Sequence, residues 1–126
     1  MSYFANKMVT LKEITKGQDI PTDLLENLYD LWVKINEIRQ AYGEPMIVTS
    51  GYRTVDYEKK KGRSGKSDHC KCKAIDIYDP DRKLCKWVHE KEYLLERYNL
   101  WVEHTDYTKN WIHFTTQPKS KRFFIP

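Results

Sequence analysis

No stretch of this sequence stays apolar for the roughly 18 residues that a membrane-spanning helix needs. Its opening, Met1-Ser2-Tyr3-Phe4, has neither the basic region nor the apolar run of a secretory signal. These absences give the expectation of a chain made in the cytoplasm, with no signal peptide and no membrane partner. Cysteine is scarce: Cys70, Cys72 and Cys85 are an odd number, with no second pair. Cys70-Lys71-Cys72 leaves too little chain between its thiols for a zinc knuckle, so neither a disulfide scaffold nor a thiolate zinc site is expected. Cys85 falls in a helical pattern and is expected to be buried rather than reactive. Long blocks of one charge are missing as well. The charged residues, 32% of the chain, are mixed in sign and leave a net charge of +4. That is a modest bias toward anionic partners, and without a recognisable binding motif no nucleic-acid partner is expected. There is no internal repeat and no low-complexity segment. The 126 residues are therefore expected to form one domain, 1–126, and to act as a monomer.

What the sequence does have is bulk and periodicity. Apolar residues make up 40%, with nine Tyr, four Trp and four Phe, enough for a core without disulfides. Across 21–42, Leu24, Leu25, Leu28, Leu31, Trp32, Ile35 and Ile38 keep the three-four rhythm of an amphipathic helix. Thr22 is the expected N-cap, and Gly43 with Pro45 ends the helix. Residues 46–51 read as a short buried strand leaving through a glycine turn. The basic stretch 55–66, with Gly62 and Gly65, reads as a helical turn and a mobile surface loop. Residues 74–78 alternate and form a strand. Asp79-Pro80 starts a second helix over 82–98, with Leu84, Trp87, Val88, Leu94 and Leu95 inward. Two more strands, 100–105 and 111–116, are joined by 106–110, and 122–125 adds an edge strand. Helices and hairpins without regular βαβ alternation predict an α+β domain, its helices packed on a mainly antiparallel sheet.

Three segments carry the chemistry: His69 to Asp76, the strand containing Glu103, and Trp111-Ile112-His113. A catalytic zinc takes three protein ligands and keeps a fourth position open for water. His69, in the loop entering a strand, and Asp76, on that strand, have a reach that suits convergence on one ion. Folding the second hairpin about Thr108 sets Glu103 opposite His113 and Trp101 opposite Thr115. Glu103 then shares a sheet face with a candidate ligand, where a general base belongs. A slip of one residue would put His104 there instead. Taken singly, each residue has an ordinary reading: Glu103 as a solvated strand charge, Asp76 as a turn former, a histidine as a surface or hydrogen-bonded group. His89 and His104 are read in that ordinary way.

At these positions the sequence resembles the zinc D-alanyl-D-alanine peptidase family, especially its small phage and bacterial single-domain members. The signature Ser-x-His-x-x-Gly-x-Ala-x-Asp is met by Ser67, His69, Ala74 and Asp76. An upstream Ser-Gly-Tyr-Arg is met by Ser50, Gly51, Tyr52 and Arg53, and a downstream Glu…Trp-x-His by Glu103, Trp111 and His113. The amino-terminal domain of hedgehog proteins shares this arrangement, and the resemblance runs over 11–116. It implies a hedgehog/DD-peptidase-like fold and one zinc ion per chain, held by His69, Asp76 and His113. Glu103 would be the catalytic base. Arg53 would bind the substrate and stabilise the developing oxyanion, and Ser67 would contact substrate or orient the site.

The resemblance has two departures. Cys72 stands where the signature has glycine, which costs little unless its φ is positive and places a thiol near the metal. The stretch from Glu103 to His113 is also longer than in several relatives, and the extra residues fit the hairpin loop. The expected activity is hydrolysis of peptidoglycan stem peptides, as a D-Ala-D-Ala carboxypeptidase or a phage endolysin-type endopeptidase acting on the host cell wall. The alternative is a non-catalytic zinc-containing binding module or virion protein of the same fold. A metal-free virion protein would need His69 and His113 far apart.

Overall fold

The structure is a computed structural model that describes residues 8–126. Its elements are α1 (Leu11–Thr15), α2 (Leu25–Tyr42), β1 (Val48–Ser50), α3 (Val55–Lys60), β2 (Ala74–Tyr78), α4 (Lys83–Glu90), α5 (Glu92–Arg97), β3 (Trp101–Glu103), β4 (Trp111–Thr115) and β5 (Phe123–Phe124). The five strands form one sheet in the order β1-β2-β4-β3-β5. The fold is α+β, as expected. The sheet is mixed, because β5 lies parallel to β3 while the pairings β1–β2, β2–β4 and β3–β4 are antiparallel. No helix among the described residues is long and apolar enough to cross a membrane.

Successive strand residues point to opposite faces, and this sheet sorts them by chemistry. Ile75, Ile77, Val102, Ile112 and Phe114 are fully buried on one face, against Leu28, Leu31, Ile35 and Ile38 of α2 in a single cluster. Each such side chain contributes about 1.5–3 kcal/mol by leaving water. The alternate positions, Asp76, His113 and Glu103, lie on the other face.

The helices depart from expectation in three places. Thr22 does not cap α2; it opens a 3-10 turn, Thr22–Leu24, and Leu24 precedes the helix without a side-chain cap. Gly43 ends α2 in the left-handed region, as expected. The helix expected over 82–98 is two, broken at Lys91 (φ −117°, ψ 36°). Val88 is buried, and a continuous helix would next have turned Lys91 and Glu92 inward. The break lets Leu94 and Leu95 reach the core instead. Asp79, buried, caps α4 with both carboxylate oxygens, accepting from the Leu84 and Cys85 amides at 2.9 and 2.8 Å. Sequence reading missed α1, although Thr10 and Glu13 form a reciprocal capping box at its start.

Helix α1 sets a tight constraint on the strand exit. The Tyr52 amide donates to the Ile14 carbonyl at 2.8 Å, and a Cβ on Gly51 would lie 2.1 Å from that same oxygen. Backbone cannot give way as a flexible side chain can. Gly51→Ala is therefore expected to destabilise the fold by about 3 kcal/mol, the upper end for overpacking. Urea unfolding of the two proteins checks this, and an unchanged midpoint would contradict the packing.

Candidate metal and hydrolytic site

The pairing of β2 with β4 places Asp76 directly opposite His113. In the β3–β4 hairpin Trp101 faces Thr115 and Val102 faces Phe114, the register expected from folding about Thr108. Carrying that register one residue past the paired positions sets Glu103 opposite His113. On the outer strands Ser50 pairs with Asp76, and Glu103 pairs with Phe124. A single row thus crosses all five strands: Ser50, Asp76, His113, Glu103, Phe124. Neighbours in such a row are about 5 Å apart, close enough for their side chains to work together.

His69 enters from outside the sheet. Ser67 caps a 3-10 turn, Asp68–Lys71, by accepting from the His69 amide, and this turn carries the imidazole over the face of β2. His69 Nδ1 lies 2.7 Å from the Gly51 carbonyl oxygen. A carbonyl can only accept, so Nδ1 carries a proton and Nε2 is the nitrogen turned inward toward Asp76. That nitrogen is 3.4 Å from Asp76 Oδ1, and His113 Nδ1 is 2.8 Å from the same oxygen. The two rings lie 5.0 Å apart, centroid to centroid. Among the described residues, His69, Asp76 and His113 each offer a ligand atom within 4.8 Å of the others.

This donor set fits a zinc ion. Bonds of about 2.0–2.1 Å in a tetrahedron set ligand atoms about 3.3 Å apart. Two imidazoles and one carboxylate are the borderline donors that zinc takes, and three of them leave one position open. The two histidines are close together, not far apart as the metal-free reading needed.

Electrostatics support the arrangement. Burial pushes the Asp76 carboxyl upward, but hydrogen bonds from His113 and His69 and their charges outweigh it and hold the group well below the usual carboxylate range. Arg53 Nη2 lies 3.4 Å from Asp76 Oδ2. Oδ1 therefore faces the histidines while Oδ2 is engaged on the far side. Glu103 behaves oppositely. Burial raises its carboxyl, the positive influence of His113 offsets part of the rise, and nearby Asp76 adds to it. Asp68, below the site, is lifted by burial but lowered further by Lys119 at 2.9 Å and by the Thr115 hydroxyl.

Arg53, Ser67, His69, Asp76, Glu103 and His113 all line one cleft of about 620 Å³. His104 does not; its Nδ1 accepts from the Asp106 amide and caps the hairpin turn Thr105–Tyr107. That turn absorbs the added length between Glu103 and His113. His89 is likewise away from the cleft, bonded to the Thr105 hydroxyl at 2.8 Å and stacked on Phe123. Cys85 is half-buried against the core.

Cys72 is fully buried in the hydrophobic cluster and lies outside the His-Asp-His group. Burial pushes its thiol up to about 11. Its φ is +56°, the left-handed conformation that glycine adopts without strain. The usual order of alanine over glycine should therefore reverse. Cys72→Ala keeps the strain and loses the thiol contacts, while Cys72→Gly relieves about 1 kcal/mol of strain as it loses them. Thermal melting is expected to rank glycine above alanine here; the opposite order would contradict the strain.

One participant in the cleft was not singled out from sequence. Glu58, only 1% exposed, sits in the wall between Arg53 and Arg63. Its one signal is placement, an acidic residue five positions from an arginine on either side.

Comparison with known families agrees with this geometry. The sequence model described as Peptidase M15 matches residues 3–106. The matched span holds Arg53, Ser67, His69, Asp76 and Glu103 and stops short of His113, which the β2–β4 pairing brings beside Asp76. No curated protein and no solved structure gives a match. The match covers most of the chain, and the family is one of zinc-dependent peptidases. On that ground, with a His-Asp-His group able to hold the metal, this chain belongs to the Peptidase M15 family.

Proposed function

We propose that the chain is a zinc peptidase that hydrolyses stem peptides of peptidoglycan, working as a monomer with one zinc held by His69, Asp76 and His113. The observation that carries this reading is the convergence of those three ligand atoms in the same cleft as Glu103. Zinc bound there supplies Lewis-acid activation of water and of the scissile carbonyl. Glu103 takes the proton from the attacking water and delivers it to the leaving amine. Its raised affinity for protons suits both halves of that transfer. Arg53 offers a permanently charged, planar donor to the carbonyl oxygen as negative charge develops, or to a substrate carboxylate. Ser67 orients His69 through the amide it accepts from, and lies within reach of substrate.

The net charge of +4 aids approach to an anionic cell wall, the setting of a phage endolysin-type enzyme. Whether the reaction is carboxypeptidase trimming of D-Ala or endopeptidase cutting is read from products. Purified peptidoglycan is digested with the zinc-loaded protein and the fragments are identified by mass. Free D-Ala marks the carboxypeptidase, and shortened or separated stem peptides mark the endopeptidase. A zinc-loaded chain that releases neither would place it with the non-catalytic modules of the fold.

A further inference from the structure

The geometry points to Glu58 as the residue that positions Arg53 in the cleft. Glu58 lies on α3 with its side chain 1% exposed, and a carboxylate so far from water must be held by positive partners. Two guanidiniums supply them. Arg63 Nη1 donates to Oε2 at 2.5 Å, and Arg53 Nη1 stands 3.6 Å from Oε1.

The Arg53 side of this arrangement is the informative one. Its three guanidinium nitrogens have three different partners: Nε donates to the Ser50 hydroxyl at 2.9 Å, Nη2 faces Asp76 Oδ2 at 3.4 Å, and Nη1 faces Glu58. Ser50 and Asp76 lie on the sheet, so both pull the guanidinium in one direction, toward the ligand group. Glu58, on α3, is the anion that balances that pull. Without its charge Arg53 would lose its fixed place and move between Asp76, where it competes with the metal for a ligand carboxylate, and the open cleft. Arg63 is half exposed and belongs to the loop after α3, so its bond to Glu58 also ties that loop to the cleft wall.

The inference concerns the site proposed above, but its first test does not need activity. The Arg53 Nε–H signal is followed by proton–nitrogen NMR in the full chain, zinc-loaded and metal-free. In the wild type this proton is expected to exchange slowly with water; in Glu58→Gln its exchange accelerates at least about tenfold as the guanidinium loses its fixed position. Arg63→Ala serves as the control. It leaves Glu58 charged, so Arg53 keeps its protection. Equal loss in Arg63→Ala would assign the positioning to the loop and overturn the inference, as would full protection in Glu58→Gln.

The second test is a double-mutant cycle on a synthetic stem pentapeptide. Glu58→Gln is expected to lower kcat/KM about 10- to 100-fold with Arg53 present. In an Arg53→Ala background it is expected to cost nothing further, whereas losses that multiply would mean that Glu58 acts independently of Arg53. Should Glu58→Gln fail to fold, Glu58→Asp keeps the charge and withdraws it by one methylene. It is expected to give intermediate exchange, and wild-type exchange would count against the inference. A chain that cleaves no peptide at all removes the peptidase reading and leaves the exchange measurements to decide this one.

Discussion

Glu103→Gln is expected to retain one zinc per chain while lowering kcat about 100- to 10,000-fold. That is the range for losing a general acid–base group. The substitution keeps the shape of a half-buried side chain and removes only its ability to take and return a proton. Glu103 is outside the His-Asp-His group, so metal binding should survive. Stability should survive too, and the sign follows from the direction of its proton affinity. Burial raises the Glu103 carboxyl in the folded state, so ionisation costs stability as pH rises above the ordinary glutamate value. A neutral glutamine is free of that cost, and the variant should be at least as stable as the wild type at pH 7. Zinc content, melting temperature and hydrolysis of a stem pentapeptide, measured on one preparation, check all three expectations. A variant that keeps full turnover would remove Glu103 from the chemistry.

His113→Ala should show the opposite division. Two ligands in place of three are expected to weaken zinc binding by more than about 100-fold, beyond the 10- to 100-fold that removing a supporting partner costs. Hydrolysis should fall to background with the metal. The variant also strips Asp76 of its 2.8 Å partner, leaving Arg53 and His69 to hold the carboxylate. Circular dichroism and zinc titration together separate loss of metal from loss of fold. Stoichiometric zinc in a folded His113→Ala chain would mean that the ion is held elsewhere.

Much of this site was legible because strands have a period of two. Once 100–105 and 111–116 were read as a hairpin, the loop centre at Thr108 fixed which side chains share a face, and Trp101 does stand opposite Thr115. The pairing of β2 with β4 was not legible. Asp76 and His113 come from segments that do not follow one another in the chain, and local pattern carries no information about which strands become neighbours. The edge strand β5 was expected, but its parallel pairing with β3 was not legible, for the same reason. Helix α1 escaped because one short helix has too few residues for a periodic stripe, although its Thr10–Glu13 capping box was there to be read. Glu58 was hidden by its neighbours: among lysines it looks like a surface charge, and only the tertiary fold buries it between two arginines. Cys72 shows the other limit. Its departure from glycine was visible, but the positive φ that gives the departure a cost belongs to the folded backbone.

The central claim, one zinc serving a peptidase, is tested most directly by zinc reconstitution. The purified chain is stripped with a chelator, titrated with zinc, and assayed on purified peptidoglycan at each point. Activity is expected to rise in proportion to bound zinc and to saturate at one ion per chain, with new peptide termini in the digest. A chain that takes up no zinc, or that fills to one ion and cleaves no peptide bond, would contradict the account.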